Sequence, residues 1–144
     1  MIDDLEHWHN LKPPLSPNEY EISLYKKLIG DSSPVCLLGM TKELVNLCDV
    51  AIDIHPINIG KPTICDNWEN ISGTFGAVIG DGIPNLTGLD YVKKVLSVSE
   101  KFICRVFMKK QIGMKYATLF LTEFPDNSYL EVTQQDIAMV MWKK

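Results

Sequence analysis

Apolar and polar positions along the chain follow two periods. Ile22, Tyr25 and Ile29, with Leu24 and Leu28, recur at the spacing of one buried helical stripe. Before them, Ser16-Pro17-Asn18-Glu19 reads as a helix start, with Ser16 as N-cap, proline at the first helical position and Glu19 closing a capping box. Gly30 is a natural stop, so the pattern predicts a helix over about 17–29. Short apolar runs then predict strands at about 35–38, 50–54, 63–65, 75–79, 102–108, 117–124 and 137–142. Between the first two runs, 41–47 reads as two helical turns with Thr41 as cap. Leu89, Val92, Val95 and Leu96 share one face of a helix over 89–98. The connections 55–62 and 69–74 are too short for full crossover helices, and Pro125-Asp126-Asn127-Ser128 reads as a turn. Residues 1–16 form an extended arm, because Pro13 and Pro14 forbid regular helix.

The first strand, the turn at Gly39, the short helix and the second strand make a minimal βαβ unit. Its second strand ends on Asp53, about fourteen residues after the glycine. The third and fourth runs end the same way, on Asp66 and Asp81. One such aspartate could simply end its strand. Three at the carboxyl ends of successive apolar strands mark the edge at which open α/β sheets bind ligands. That arrangement points to a nucleotide-type cofactor.

Composition narrows the partners. At 144 residues the chain has the length of one domain with a real core. A net charge of −4 and the lack of a long basic run argue against nucleic acid and for small molecules or a partner protein. No apolar stretch is long enough to span a membrane, and the acidic start is no signal peptide, so a cytoplasmic protein is expected. Cys36, Cys48, Cys65 and Cys104 show no CxxC pairing and read as buried hydrophobes in a reducing compartment. His7 and His9 supply only two ligands, too few for a zinc site, so no metal is expected.

Three motifs, Leu38-Gly39-Met40-Thr41-Lys42-Glu43-Leu44, Asp66-Asn67-Trp68 and Gly80-Asp81-Gly82, resemble those of class I S-adenosylmethionine-dependent methyltransferases. They are closest to a branch reading LG-x-T-x-E-L, and the lead-in Pro13-Pro14-Leu15-Ser16-Pro17 is similar too. The likeness spans about residues 13–108. It implies an α/β fold: a Rossmann-like, mostly parallel sheet in the order 3-2-1-4-5-7-6, the last strand antiparallel, with few short helices. It also implies S-adenosylmethionine as cofactor. Gly39 would admit the amino-acid part, Met40 and Thr41 would face its carboxylate, and Asp53 would take the ribose hydroxyls. Ile54 would line the adenine pocket, Asp66 would meet the adenine amino group, and Asn67 and Trp68 would flank it. Asp81 and Gly82 would stand at the transfer end, with the arm at Pro14 to Pro17 closing over the cofactor.

The implied function is methyl transfer to a small-molecule acceptor, with Asp81, His9 and Tyr20 as candidate bases. The glycine-rich G-x-G-x-G is reduced to Gly39, and no long insertion follows the fifth strand. Those departures keep an alternative in play: a non-catalytic relative that binds the cofactor or serves as an interaction subunit, its sheet faces covered by a partner or a second copy. A nicotinamide-binding domain would need G-x-G-x-x-G, which is missing.

Overall fold

The computed structural model describes residues 16–39, 41–53, 60–107 and 127–144. Seven strands form one sheet in the order β3-β2-β1-β4-β5-β7-β6, as the resemblance implied. They are β1 (Val35–Leu38), β2 (Val50–Asp53), β3 (Thr63–Cys65), β4 (Ala77–Asp81), β5 (Lys101–Phe107), β6 (Asn127–Gln134) and β7 (Ile137–Lys143). β1 to β5 run parallel, and β7 lies antiparallel between β5 and β6. Every residue of β1 and β4 is buried, as continuous apolar runs at the centre of a two-faced sheet require. All three residues of β3, at one edge, are exposed.

Each face carries its own core. Helix α1 (Glu19–Ile29) lays Leu24, Tyr25, Leu28 and Ile29 against Leu37, Ile79, Ile103 and Met139. On the opposite face, α3 (Leu89–Val98) packs Val92 and Val95 against Val78, Phe102 and Val140. α1 runs against the parallel strands. The Tyr25 hydroxyl lies 3.3 Å from the Gly80 carbonyl near the end of β4. At the helix's other end, Lys101 Nζ at the start of β5 donates to the carbonyls of Leu28 and Ile29, at 2.7 and 3.0 Å. The first turn of α1 therefore stands at the carboxyl edge of the sheet.

Several local expectations are corrected. The N-cap of α1 is Asn18, not Ser16: Asn18 Oδ1 accepts from Glu21 N at 2.8 Å, and Glu21 Oε1 accepts from Asn18 N at 3.0 Å. Two overlapping boxes compete here, and the one that forms also carries Glu21 into a buried polar network. The segment Lys42–Leu47 is a 3-10 helix, and Thr41 makes no side-chain cap. β4 starts two residues later than expected and runs through Asp81. Phe75 makes only an isolated bridge to Ser99, and Gly76 passes so close to Ser33 that a Cβ would stand 2.8 Å from its carbonyl oxygen.

A short helix α2 (Ile83–Thr87), begun by Gly82 at φ 67° and Pro84 in its first turn, was not expected. β6 begins at Asn127, inside the expected turn. The expected strand at 117–124 and the arm up to residue 15 lie outside the described residues. Cys36, Cys48 and Cys104 are buried as expected, whereas Cys65 is exposed because it sits on the edge strand. Among the described residues no helix is long and apolar enough to cross a membrane.

Candidate functional site

Parallel register draws the candidate residues into one row along the carboxyl edge. Leu38 pairs with Ile52 and Leu37 with Ile79, so Gly39 falls level with Asp53 on one side and Asp81 on the other. The row continues outward to Cys65, opposite Asp53, and to Arg105, opposite Asp81. Neighbouring strands lie about 4.8 Å apart, so each step of the row is that wide.

Gly39 is required at the centre of this row. Its φ is 92°, and a Cβ there would stand 3.3 Å from Trp68 Cζ2 and 3.8 Å from Asp53 Oδ2. Its own amide donates to the Ile52 carbonyl at 2.8 Å, which extends the β1–β2 ladder by one residue. Trp68 is locked beside it, with Nε1 donating to the same Ile52 carbonyl at 2.9 Å. The Trp68 carbonyl accepts from the Tyr91 hydroxyl at 2.7 Å, which ties the loop after β3 to α3. Burial holds the Tyr91 phenol well above its ordinary range, so this donor keeps its proton.

Asp66 closes the same corner from outside. Its amide donates to the Asp53 carbonyl at 2.9 Å, and its Oδ1 accepts from Asn70 Nδ2 and the Asn67 amide at 2.8 and 2.7 Å. Those bonds, the Asn70 one foremost, pull the Asp66 carboxyl below the usual range and keep it charged. Asn67 caps the 3-10 turn Trp68–Asn70 by accepting from the Glu69 amide. Beside this turn a groove of about 370 Å³ opens, lined by Asn67, Trp68, Leu86, Thr87 and Tyr91.

Asp81 stands where the row predicts, held by partners from α1 and β5. Arg105 grips it bidentately, with Nε to Oδ1 and Nη2 to Oδ2, both at 2.6 Å, and the Tyr25 hydroxyl adds a bond to Oδ1 at 2.9 Å. A carboxylate buried under three donors has its oxygens engaged by the protein itself. The same Arg105 bonds Glu21 through Nη1 at 3.1 Å, and Glu21 also accepts from Thr133 Oγ1 and Gln134 Nε2 at 2.6 and 2.7 Å. Burial opposes the guanidinium's charge, but the hydrogen bonds and charge of Asp81 outweigh it and keep Arg105 protonated. The sequence signal for this network is a lone arginine, Arg105, inside the apolar run 102–108.

Tyr20 is likewise engaged. Its hydroxyl donates to Glu131 Oε2 at 2.6 Å, and that bond raises its pKa, which makes it a poor proton acceptor at neutral pH. His9, Met40 and Ile54 lie outside the described residues.

The described part of the set suits S-adenosylmethionine: a bare glycine backbone at the centre, an acid one strand away, and an indole and a groove beyond it. No protein-family model matches the chain, and no curated protein matches its sequence. Solved structures do match in fold. TrmK from M. capricolum in complex with S-adenosylhomocysteine is 17% identical with a TM-score of 0.59, over 88% of this chain and 69% of that one. The N-terminal domain of EvdMO1 with S-adenosylhomocysteine bound is 12% identical with a TM-score of 0.61, over 97% of this chain and 92% of that one. An rRNA methylase from Escherichia coli is 10% identical with a TM-score of 0.61, over 85% of this chain and 62% of that one. That last likeness overturns the exclusion of nucleic acid drawn from net charge, because the same fold serves RNA substrates. The chain has the fold of the class I S-adenosylmethionine-dependent methyltransferases.

Proposed function

We propose that the chain binds S-adenosylmethionine along the Asp53–Gly39–Asp81 row and transfers its methyl group, as a small enzyme of the LG-x-T-x-E-L branch. The gathering of Gly39, Asp53 and Trp68 at one corner carries this reading. Asp53 would accept from the ribose hydroxyls, Asp66 and Asn67 would address the adenine beside the groove, and Gly39 would let the backbone approach the amino-acid part. The cofactor supplies a methyl group on a sulfonium, a good leaving group. What remains for the protein is alignment and exclusion of water, which need no catalytic triad. The fit of the cofactor to the row is tested by calorimetric titration of S-adenosylmethionine and S-adenosylhomocysteine. Micromolar binding that disappears in Asp53→Ala is the expected result, and no heat from a folded sample overturns it. An acceptor screen of small molecules and RNA follows from a positive result.

A second reading, a non-catalytic cofactor-binding or interaction subunit, is favoured by Leu130 and Val132. These side chains are 48% and 62% exposed on the edge strand β6. Burial of that edge between two copies would give a dimer's elution volume, whereas a compact monomer's volume counts against it.

A further inference from the structure

The buried network at the transfer end carries more negative than positive charge. Glu21 and Arg105 are fully buried, and Asp81 is 8% exposed. Every partner of the two carboxylates is a donor, as acceptor-only carboxylates require: Asn18 N, Thr133 and Gln134 for Glu21, Tyr25 for Asp81, and Arg105 for both. Among the described residues, Arg105 is the one cation that either carboxylate touches. Among the described residues two carboxylates share one guanidinium, an excess of one carboxylate in a low-dielectric setting, where charge is felt most strongly. Lys101 sits at the opposite end of α1, on the carbonyls of Leu28 and Ile29. The Phe107 ring lies 5.2 Å from the Arg105 Cζ, and a Cβ on Gly82 would come within 2.9 Å of that ring.

The register puts this charge one strand from Gly39, on the side away from Asp53. We infer that Glu21, Arg105 and Asp81 form an electrostatic selector that favours a sulfonium cation over a neutral thioether, so that the cofactor is held and the spent product released. This rests on the reading of the row as the cofactor site. Asp81 then acts as a fixed charge, with Arg105 and Glu21 as positioning residues that set its place and the net sign. Two acids are needed. A single Asp81–Arg105 pair would be neutral and would discriminate weakly.

The measurement is the ratio of affinities for S-adenosylmethionine and S-adenosylhomocysteine. A loosened fold weakens both ligands together, so a change in ratio isolates the charge. On the unmodified protein, S-adenosylmethionine should bind about fivefold more tightly, the size of one unit charge a few strand spacings away after partial screening. Glu21→Gln removes one negative charge and keeps the side chain's shape. It should bring the ratio down about fivefold while leaving S-adenosylhomocysteine binding nearly unchanged, and Asp81→Asn should act in the same direction. Equal or tighter binding of S-adenosylhomocysteine to the unmodified protein overturns the inference even if neither variant folds. So does an unaltered ratio in a folded variant. Absence of binding by both ligands overturns the reading of the site itself, and the selector with it.

Discussion

Gly39 concentrates the demands of the site in one residue. Its positive φ and the nearby Trp68 ring both exclude a side chain. Gly39→Ala therefore forces a left-handed backbone on an L-residue, at about 1–2 kcal/mol, and pushes a methyl group against the indole. Chemical denaturation should register that loss, and titration of the still-folded variant should show cofactor binding weakened by more than the lost stability accounts for. Asp53 differs in kind: its backbone carbonyl accepts from the Asp66 amide, a bond that Asp53→Ala leaves in place while it removes the acid. Gly39 and Asp53 were legible in the sequence because short apolar strands leave little doubt about where their tips fall. Asp81 was legible in position, whereas its partners were not. A carboxylate's role is set by what faces it, and Arg105 faces it from a neighbouring strand distant in sequence.

At the level of elements, the Tyr20 hydroxyl joins α1 to β6 on a carboxylate that also takes a hydroxyl from its own strand. Glu131 accepts from Tyr20 at 2.6 Å and from Tyr129 at 2.9 Å. The Tyr20 bond foremost, then the Tyr129 bond, lowers the Glu131 pKa. A depressed carboxylate contributes its stabilisation above its unfolded pKa and loses it as the pH falls through the folded one. The seam should therefore hold at neutral pH and loosen only below the ordinary carboxylate range. Glu131→Gln should bring the Tyr20 phenol back toward its ordinary value in an ultraviolet titration. Tyr129, pushed up to about 12 with burial as the first cause, should stay high. The capping error belongs to this scale too. Ser16-Pro17-Asn18-Glu19 and Asn18-Glu19-Tyr20-Glu21 are both good boxes locally, and the contacts of Glu21 with β5 and β6 go with the second. α2 was hidden for a related reason: five residues with a proline and a glycine at each end carry no helical period to read.

For the molecule as a whole, the sheet separates two apolar layers that share no side chain. Leu24→Ala beneath α1 and Val92→Ala beneath α3 should each cost about 2–4 kcal/mol. Together they should add to within about 0.5 kcal/mol, because neither cavity relaxes into the other. Urea unfolding of the two single variants and the double variant gives the coupling directly, and a coupling well above that size would mean the layers communicate through the sheet. The strand order came from the family likeness, whereas the existence of the inner strands came from their uninterrupted apolar runs. The weak points of the reading were at the rim, where β6 alternates polar and apolar residues and resembles a turn region as much as a strand.

The exposed edge strand β3 has a consequence for affinity. Three exposed residues that pair, among the described residues, with one strand open far more cheaply than the centre of the sheet, yet they lead directly into Asp66 and Trp68. A ligand that needs both in position binds only the fraction of molecules in which that edge is shut, and its apparent dissociation constant rises in inverse proportion to that fraction. Substitutions at the exposed Ile64 would thus tune occupancy of the cleft from a distance. The rim of the sheet, rather than its buried centre, would then set how much cofactor the molecule carries at a given concentration.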